Sequence, residues 1–153
     1  MKKALFIGLL LQVSSVSAEA FPQDFTKDFT PQVYGAYSQW YKEGTVNYGY
    51  DFKRSCYCQD SGTVYRITVI NNKVVSAFNV DTDVEVEDNY LASFKTIEML
   101  FSELMQANNT AHIINSSFDY EYGYPKSVFI DMDPRMADEE ISYTIEGMYP
   151  ILF

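Results

Sequence analysis

A chain of 153 residues, 47% of them hydrophobic, is long enough for one folded domain and too short for two ordinary ones. Against 21 Asp and Glu stand only 11 Lys and Arg, a formal charge of −10, which leaves no basic surface for nucleic-acid phosphates. With 1 His and 2 Cys the usual His/Cys zinc centres and a dense disulfide framework are also excluded.

Residues 1–18 read as a secretory signal peptide. Lys2 and Lys3 make a basic start, residues 4–11 are an unbroken apolar run, and Val16-Ser17-Ala18 offers the small residues that signal peptidase reads. Ala18-Glu19-Ala20 is a second acceptable cleavage site. The apolar run is far shorter than the ~20 residues needed to span a bilayer, so no membrane insertion is expected. The expected product is an acidic, monomeric protein in the periplasm or outside the cell. Residues 19–30 are expected to form an N-terminal arm tacked down by Phe21, Phe25 and Phe29, and residues 31–153 a single domain.

Thr30-Pro31 is a helix start, with Thr as N-cap and Pro at the first helical position. Val33, Tyr37, Trp40 and Tyr41 then fall on one helical face, and Gly44 suits the end. Strands follow. Residues 48–58 are β-rich. Residues 64–70 alternate, with Tyr65, Ile67 and Val69 on one side and Arg66 and Thr68 on the other. Asn71-Asn72 is a good two-residue hairpin turn because Asn tolerates positive φ. Residues 73–80 return with Val74, Phe78 and Val80 on one side, and residues 81–89 are an acidic stretch, either strand extension or loop.

The second helix is the clearest element. Ile97, Leu100, Phe101, Leu104 and Met105 fit the i, i+3, i+4, i+7, i+8 pattern, Thr96 is its N-cap and Asn108-Asn109 its end. Residues 113–122 are the next strand, Gly123-Tyr124-Pro125 a turn, and residues 127–132 a return. Residues 133–140 are a polar loop. Ile141, Tyr143 and Ile145 mark the last strand, and residues 149–153 an apolar tail expected to pack down. The order helix, three strands, helix, three strands predicts an α+β fold with two helices packed on an antiparallel sheet.

Several segments together resemble a bacterial exported family known only as domain of unknown function 6174. They are Trp40, Asn47-Tyr48-Gly49-Tyr50, Cys56-Tyr57-Cys58, Asn72-Lys73-Val74, Thr96-Ile97 and Phe101. The run from Phe118 through Tyr122-Gly123-Tyr124-Pro125 to Asp131 and the Asp138-Glu139-Glu140 stretch complete the pattern. The resemblance covers nearly the whole domain and implies an exported α+β fold. It implies no activity. Members are often lipoproteins, and this chain departs from them in having no Cys near the cleavage site.

Candidate chemistry is sparse. Cys56 and Cys58 would share one face of a straight strand with Cα atoms ~6.5–7 Å apart, the upper limit for a disulfide, so a bond requires a bend or bulge. A disulfide, a redox-active thiol pair and a soft-metal site remain open, the last with His112 brought in by the fold. The carboxylates of residues 81–88 begin like a calcium loop, but Val86 stands where Gly is needed and Ala92 where a carboxylate is needed. Asp131, Asp133 and Asp138 are a second weak metal candidate without the required spacing. No nucleophile turn, zinc-protease helix or phosphate loop exists, and no cofactor is implied. Tyr120, Tyr122 and Tyr124 surround the Gly123 turn and would share one side of the hairpin. There they form either a binding patch for an exported protein or peptide, or part of the core.

Overall fold

A computed structural model describes residues 29–153, so the expected signal peptide and residues 19–28 of the expected arm lie outside the described residues. The elements in chain order are α1 (Phe29–Glu43), β1 (Tyr48–Ser55), β2 (Val64–Ile70), β3 (Lys73–Asn79) and β4 (Val84–Glu85). A 3-10 turn (Asp88–Ser93), α2 (Ile97–Ala107), β5 (Ile113–Phe118), β6 (Pro125–Asp131) and β7 (Ile141–Pro150) follow. The strands form one antiparallel sheet of seven in the order β4-β3-β2-β1-β7-β6-β5. The fold is therefore α+β, with the first and last long strands paired at its centre. The expected strand order needs one correction. The acidic stretch adds the two-residue β4, which pairs Phe78 with Glu85 and Asn79 with Val84, so four strands precede α2.

Alternation decides which face is covered. Tyr48, Tyr50 and Phe52 of β1 point to the same side as Ile67, Val69, Tyr143, Ile145, Val128 and Ile130, and all are buried. The opposite face is polar. There Asp51 and Arg66, directly opposite in the β1–β2 register, form a two-pronged ion pair at 2.9 and 3.1 Å. Asn71 and Asn72 take φ of 50° and 58°, the doubly positive turn that matches strand twist.

β3 departs from its expected pattern. The β2–β3 register slips between Thr68 and Val69, leaving Val75 as an extra residue. A slip of one residue exchanges faces, so Val74 and Ala77 enter the core while Phe78 sits opposite Arg66 on the polar face and Val80 is exposed.

The helices cover the sheet unequally. α2 lies on it, burying Ile97, Leu100, Phe101, Leu104 and Ala107, with Thr96 Oγ1 accepting from the Met99 N–H at 3.3 Å. α1 packs beside α2, with the Tyr37 ring edge-on to Phe101 at 5.2 Å, and reaches the sheet through Trp40, which meets Tyr48 at 5.3 Å. Among its described side chains, Val33, Ala36 and Trp40 are buried. Tyr41, expected on that face, is 85% exposed. Gly44 donates to the Trp40 carbonyl at 2.8 Å, and a Cβ there would stand 2.4 Å from that oxygen.

Two further expectations fail, one at the end of the chain and one at the end of β5. β7 runs on to Pro150 beside β1, passing a bulge at Gly147 (φ 60°), but Leu152 and Phe153 are exposed, so the tail does not pack down. β5 stops at Phe118, four residues earlier than expected, because the chain turns away there.

Candidate functional site

The loop of residues 119–124 is built to hold one shape. Asp119 Oδ1 accepts from the Glu121 and Tyr122 N–H groups, both at 2.9 Å, the local turn that an Asp side chain favours. Asp119 N–H donates to the Tyr124 carbonyl, and Gly123 N–H to the Asp119 carbonyl. Gly123 takes φ of 81° and lies so close to α1 that a Cβ would meet the Ala36 carbonyl at 2.5 Å. From the helix, Gln39 Nε2 donates to the carbonyls of Tyr120 and Glu121 at 2.5 and 2.9 Å.

The three loop tyrosines therefore part company. Tyr120 is 96% exposed at the tip, Tyr122 is half-buried against the core, and Tyr124 is 7% exposed with its ring edge-on to Trp40 at 6.5 Å. Alternation would have kept them together, but the chain has left the strand before Tyr120. Burial, and secondarily the nearby Asp119 charge, raises the Tyr124 pKa. Tyr120 borders an open groove of about 850 Å³ against α1, lined by Gly35, Ser38, Gln39, Lys42 and Glu43 and by the loop itself. Its charged lining is mainly acidic, since Lys42 is held by Glu43 at 2.6 Å while Asp119 and Glu121 add carboxylates.

Cys56 and Cys58 lie just past β1, where the chain bends, and not on a straight strand as expected. Cys58 N–H donates back to the Cys56 carbonyl at 2.9 Å, Cys56 N–H donates to Ser61 Oγ, and the Cα atoms are 5.2 Å apart, inside the range for a bond. The bend supplies what the strand spacing lacked. Tyr57 and Cys58 are exposed.

The weak metal candidates do not converge. Asp131 is buried at the end of β6, where its carbonyl accepts from His112 N–H at 2.9 Å. Asp133 is clamped by Arg135 at 2.7 and 2.9 Å, and these bonds hold its carboxyl below the usual range. Asp138 is exposed in the following loop with φ of 87°. Among the described residues no group of three or more His, Cys, Asp or Glu is placed to hold a metal ion.

A polar network absent from the sequence reading joins the sheet to α2. Glu98 Oε1 accepts from Trp40 Nε1 at 2.9 Å and Oε2 from the Tyr48 hydroxyl at 3.0 Å. The Tyr48 oxygen in turn accepts from Ile97 N–H at 2.9 Å, one of the orphan donors of the helix start. The Tyr50 hydroxyl donates to the Lys95 carbonyl, and the Tyr143 hydroxyl donates to Glu103 at 2.9 Å. Burial, followed by the charge of Glu98 or Glu103, drives these three phenol pKa values well up. The signal was present in the sequence as Tyr on the core face of β1 opposite a Glu in the first turn of α2, but only the packing shows that they meet.

No helix among the described residues is long and apolar enough to cross a membrane. No curated protein and no solved structure matches the chain. A family model does match, over residues 32–150, which takes in the whole sheet and all but the start of α1. The chain belongs to that family, the family of unknown function DUF6174.

Proposed function

We propose that this domain is a non-enzymatic, exported binding module whose partner is a basic segment of a protein or peptide, held between the 119–124 loop and α1. The observation that carries the reading is Tyr120. A ring that is 96% exposed is usually mobile, yet here its backbone is fixed by Gln39, Asp119 and the approach of Gly123 to α1. A tyrosine on a fixed backbone offers contact area at low entropic cost, having only two side-chain torsions to order, and its ring face attracts Lys or Arg. Asp119 and Glu121 along the groove, and the formal charge of −10, favour the same partner. Export rests on the pattern of residues 1–18.

Titrating the protein with Lys/Arg-rich, neutral and acidic peptides of equal length tests this. Basic peptides should bind saturably, and Tyr120→Ala should weaken binding about tenfold, the loss of a central aromatic anchor, with unfolding unchanged to within about 0.5 kcal/mol. Equal binding of all three peptide classes, or full affinity in the variant, would refute it.

A second reading concerns the exposed bend at Cys56 and Cys58. In an oxidising compartment the pair is a local crosslink that fixes the turn after β1. Alkylation of the native protein followed by mass measurement separates this from a thiol redox or metal-handling role. An inert pair, labelled only after reduction, supports the crosslink; uptake of label without reduction supports the other role.

A further inference from the structure

On the side of α1 away from the Tyr120 groove lies a smaller cavity of about 260 Å³, between the end of α1, the start of α2 and the Asn71-Asn72 turn. Its lining includes three aromatic residues, the buried Trp40, the partly exposed Tyr37 and the exposed Tyr41, together with Val46 and Glu98. Glu98 is half-buried, and among the described residues no Lys or Arg pairs with it. Its two oxygens are held in place by Trp40 Nε1 and the Tyr48 hydroxyl, neutral donors that orient the charge without cancelling it. A carboxylate has about four acceptor positions, so two remain for a ligand.

We propose that this cavity binds an alkylammonium group. Aromatic rings around a cavity attract a cation through their negative faces, and the attraction strengthens when the cation is desolvated. An alkyl chain suits the apolar walls, and Glu98 supplies the counter-charge that a half-buried ammonium needs. A phosphate or carboxylate ligand is disfavoured by the same charge. Trp40 is the only tryptophan in the chain, so the site carries its own reporter.

The test is a fluorescence titration of the full chain with n-butylammonium and with tetramethylammonium, at constant ionic strength, with n-butanol as the neutral counterpart. The expected result is a saturable change with one or both cations and none with butanol or with added sodium chloride. Tyr41→Ala, at a side chain 85% exposed and so safe for folding, should weaken binding about fivefold. Glu98→Gln should weaken it about tenfold or more, the worth of a charge-assisted contact. No saturable change with either cation, equal response to butanol, or unchanged affinity in Tyr41→Ala would overturn the proposal whether or not Glu98→Gln folds. Because this site and the Tyr120 groove lie on different sides of α1, Tyr120→Ala should leave the titration untouched.

Discussion

Gly49 and Gly123 show how a position's surroundings decide what a methyl group costs. A Cβ on Gly49 would meet the Tyr149 ring at 2.4 Å, but that ring belongs to a half-exposed side chain at the edge of β7 and can swing aside. A Cβ on Gly123 would meet the Ala36 carbonyl at 2.5 Å, backbone of α1 that has nowhere to go, and the residue also sits at φ 81°. Gly123→Ala should therefore destabilise by at least about 1–3 kcal/mol, the cost of a non-glycine residue in that region, and more from the clash. Chemical denaturation of both variants checks it, and a Gly49→Ala protein less stable than Gly123→Ala would refute the ranking. The turn at Gly123 was legible in the sequence from Gly-Tyr-Pro. Its purpose was not, because nothing local says that α1 lies against it. The same holds for Glu98, which reads as an ordinary acidic residue in the first turn of a helix until Trp40 and Tyr48 are seen to reach it.

The elements were legible where local chemistry and tertiary packing ask for the same thing. α2 combines an unbroken apolar stripe with a capping Thr96, and both survive in the fold. The β2–β3 hairpin carries its turn in Asn71-Asn72, whose positive φ values are those the turn requires. The period misleads where the backbone geometry breaks it. In β3 the extra residue Val75 inverts the faces, so the expected Phe78 and Val80 lie away from the core and Ala77 lies in it. In α1 the aromatic spacing includes Tyr41 as readily as Ala36, and only the position of α2 chooses between them. The Cys56-x-Cys58 spacing shows the converse. Strand geometry argued that a bond needs a bend, and the chain does bend after Ser55, bringing the Cα atoms to 5.2 Å.

At the scale of the whole molecule the sheet's central strands carry the groups that couple stability to alkaline pH. Tyr48 and Tyr50 of β1 and Tyr143 of β7 are almost fully buried, and burial together with Glu98 or Glu103 raises their pKa values above the ordinary value of about 10. A phenol that stays protonated when folded but ionises when unfolded gives the native state the larger number of bound protons above pH 10. Stability is then fully present below about pH 10 and falls as pH rises toward the raised folded values, each such group contributing about 1.4 kcal/mol per pH unit. The expectation is that the tyrosinate absorbance of Tyr48, Tyr50 and Tyr143 develops only as the sheet opens. Tyr50→Phe separates this effect from the lost hydrogen bond to the Lys95 carbonyl. That loss lowers stability by a constant at all pH values, about 1 kcal/mol, whereas removing the phenol lessens the slope of stability against pH by one proton. Denaturation midpoints of wild type and Tyr50→Phe through the range above pH 10 measure that slope, and identical slopes would show that Tyr50 already ionises in the folded sheet.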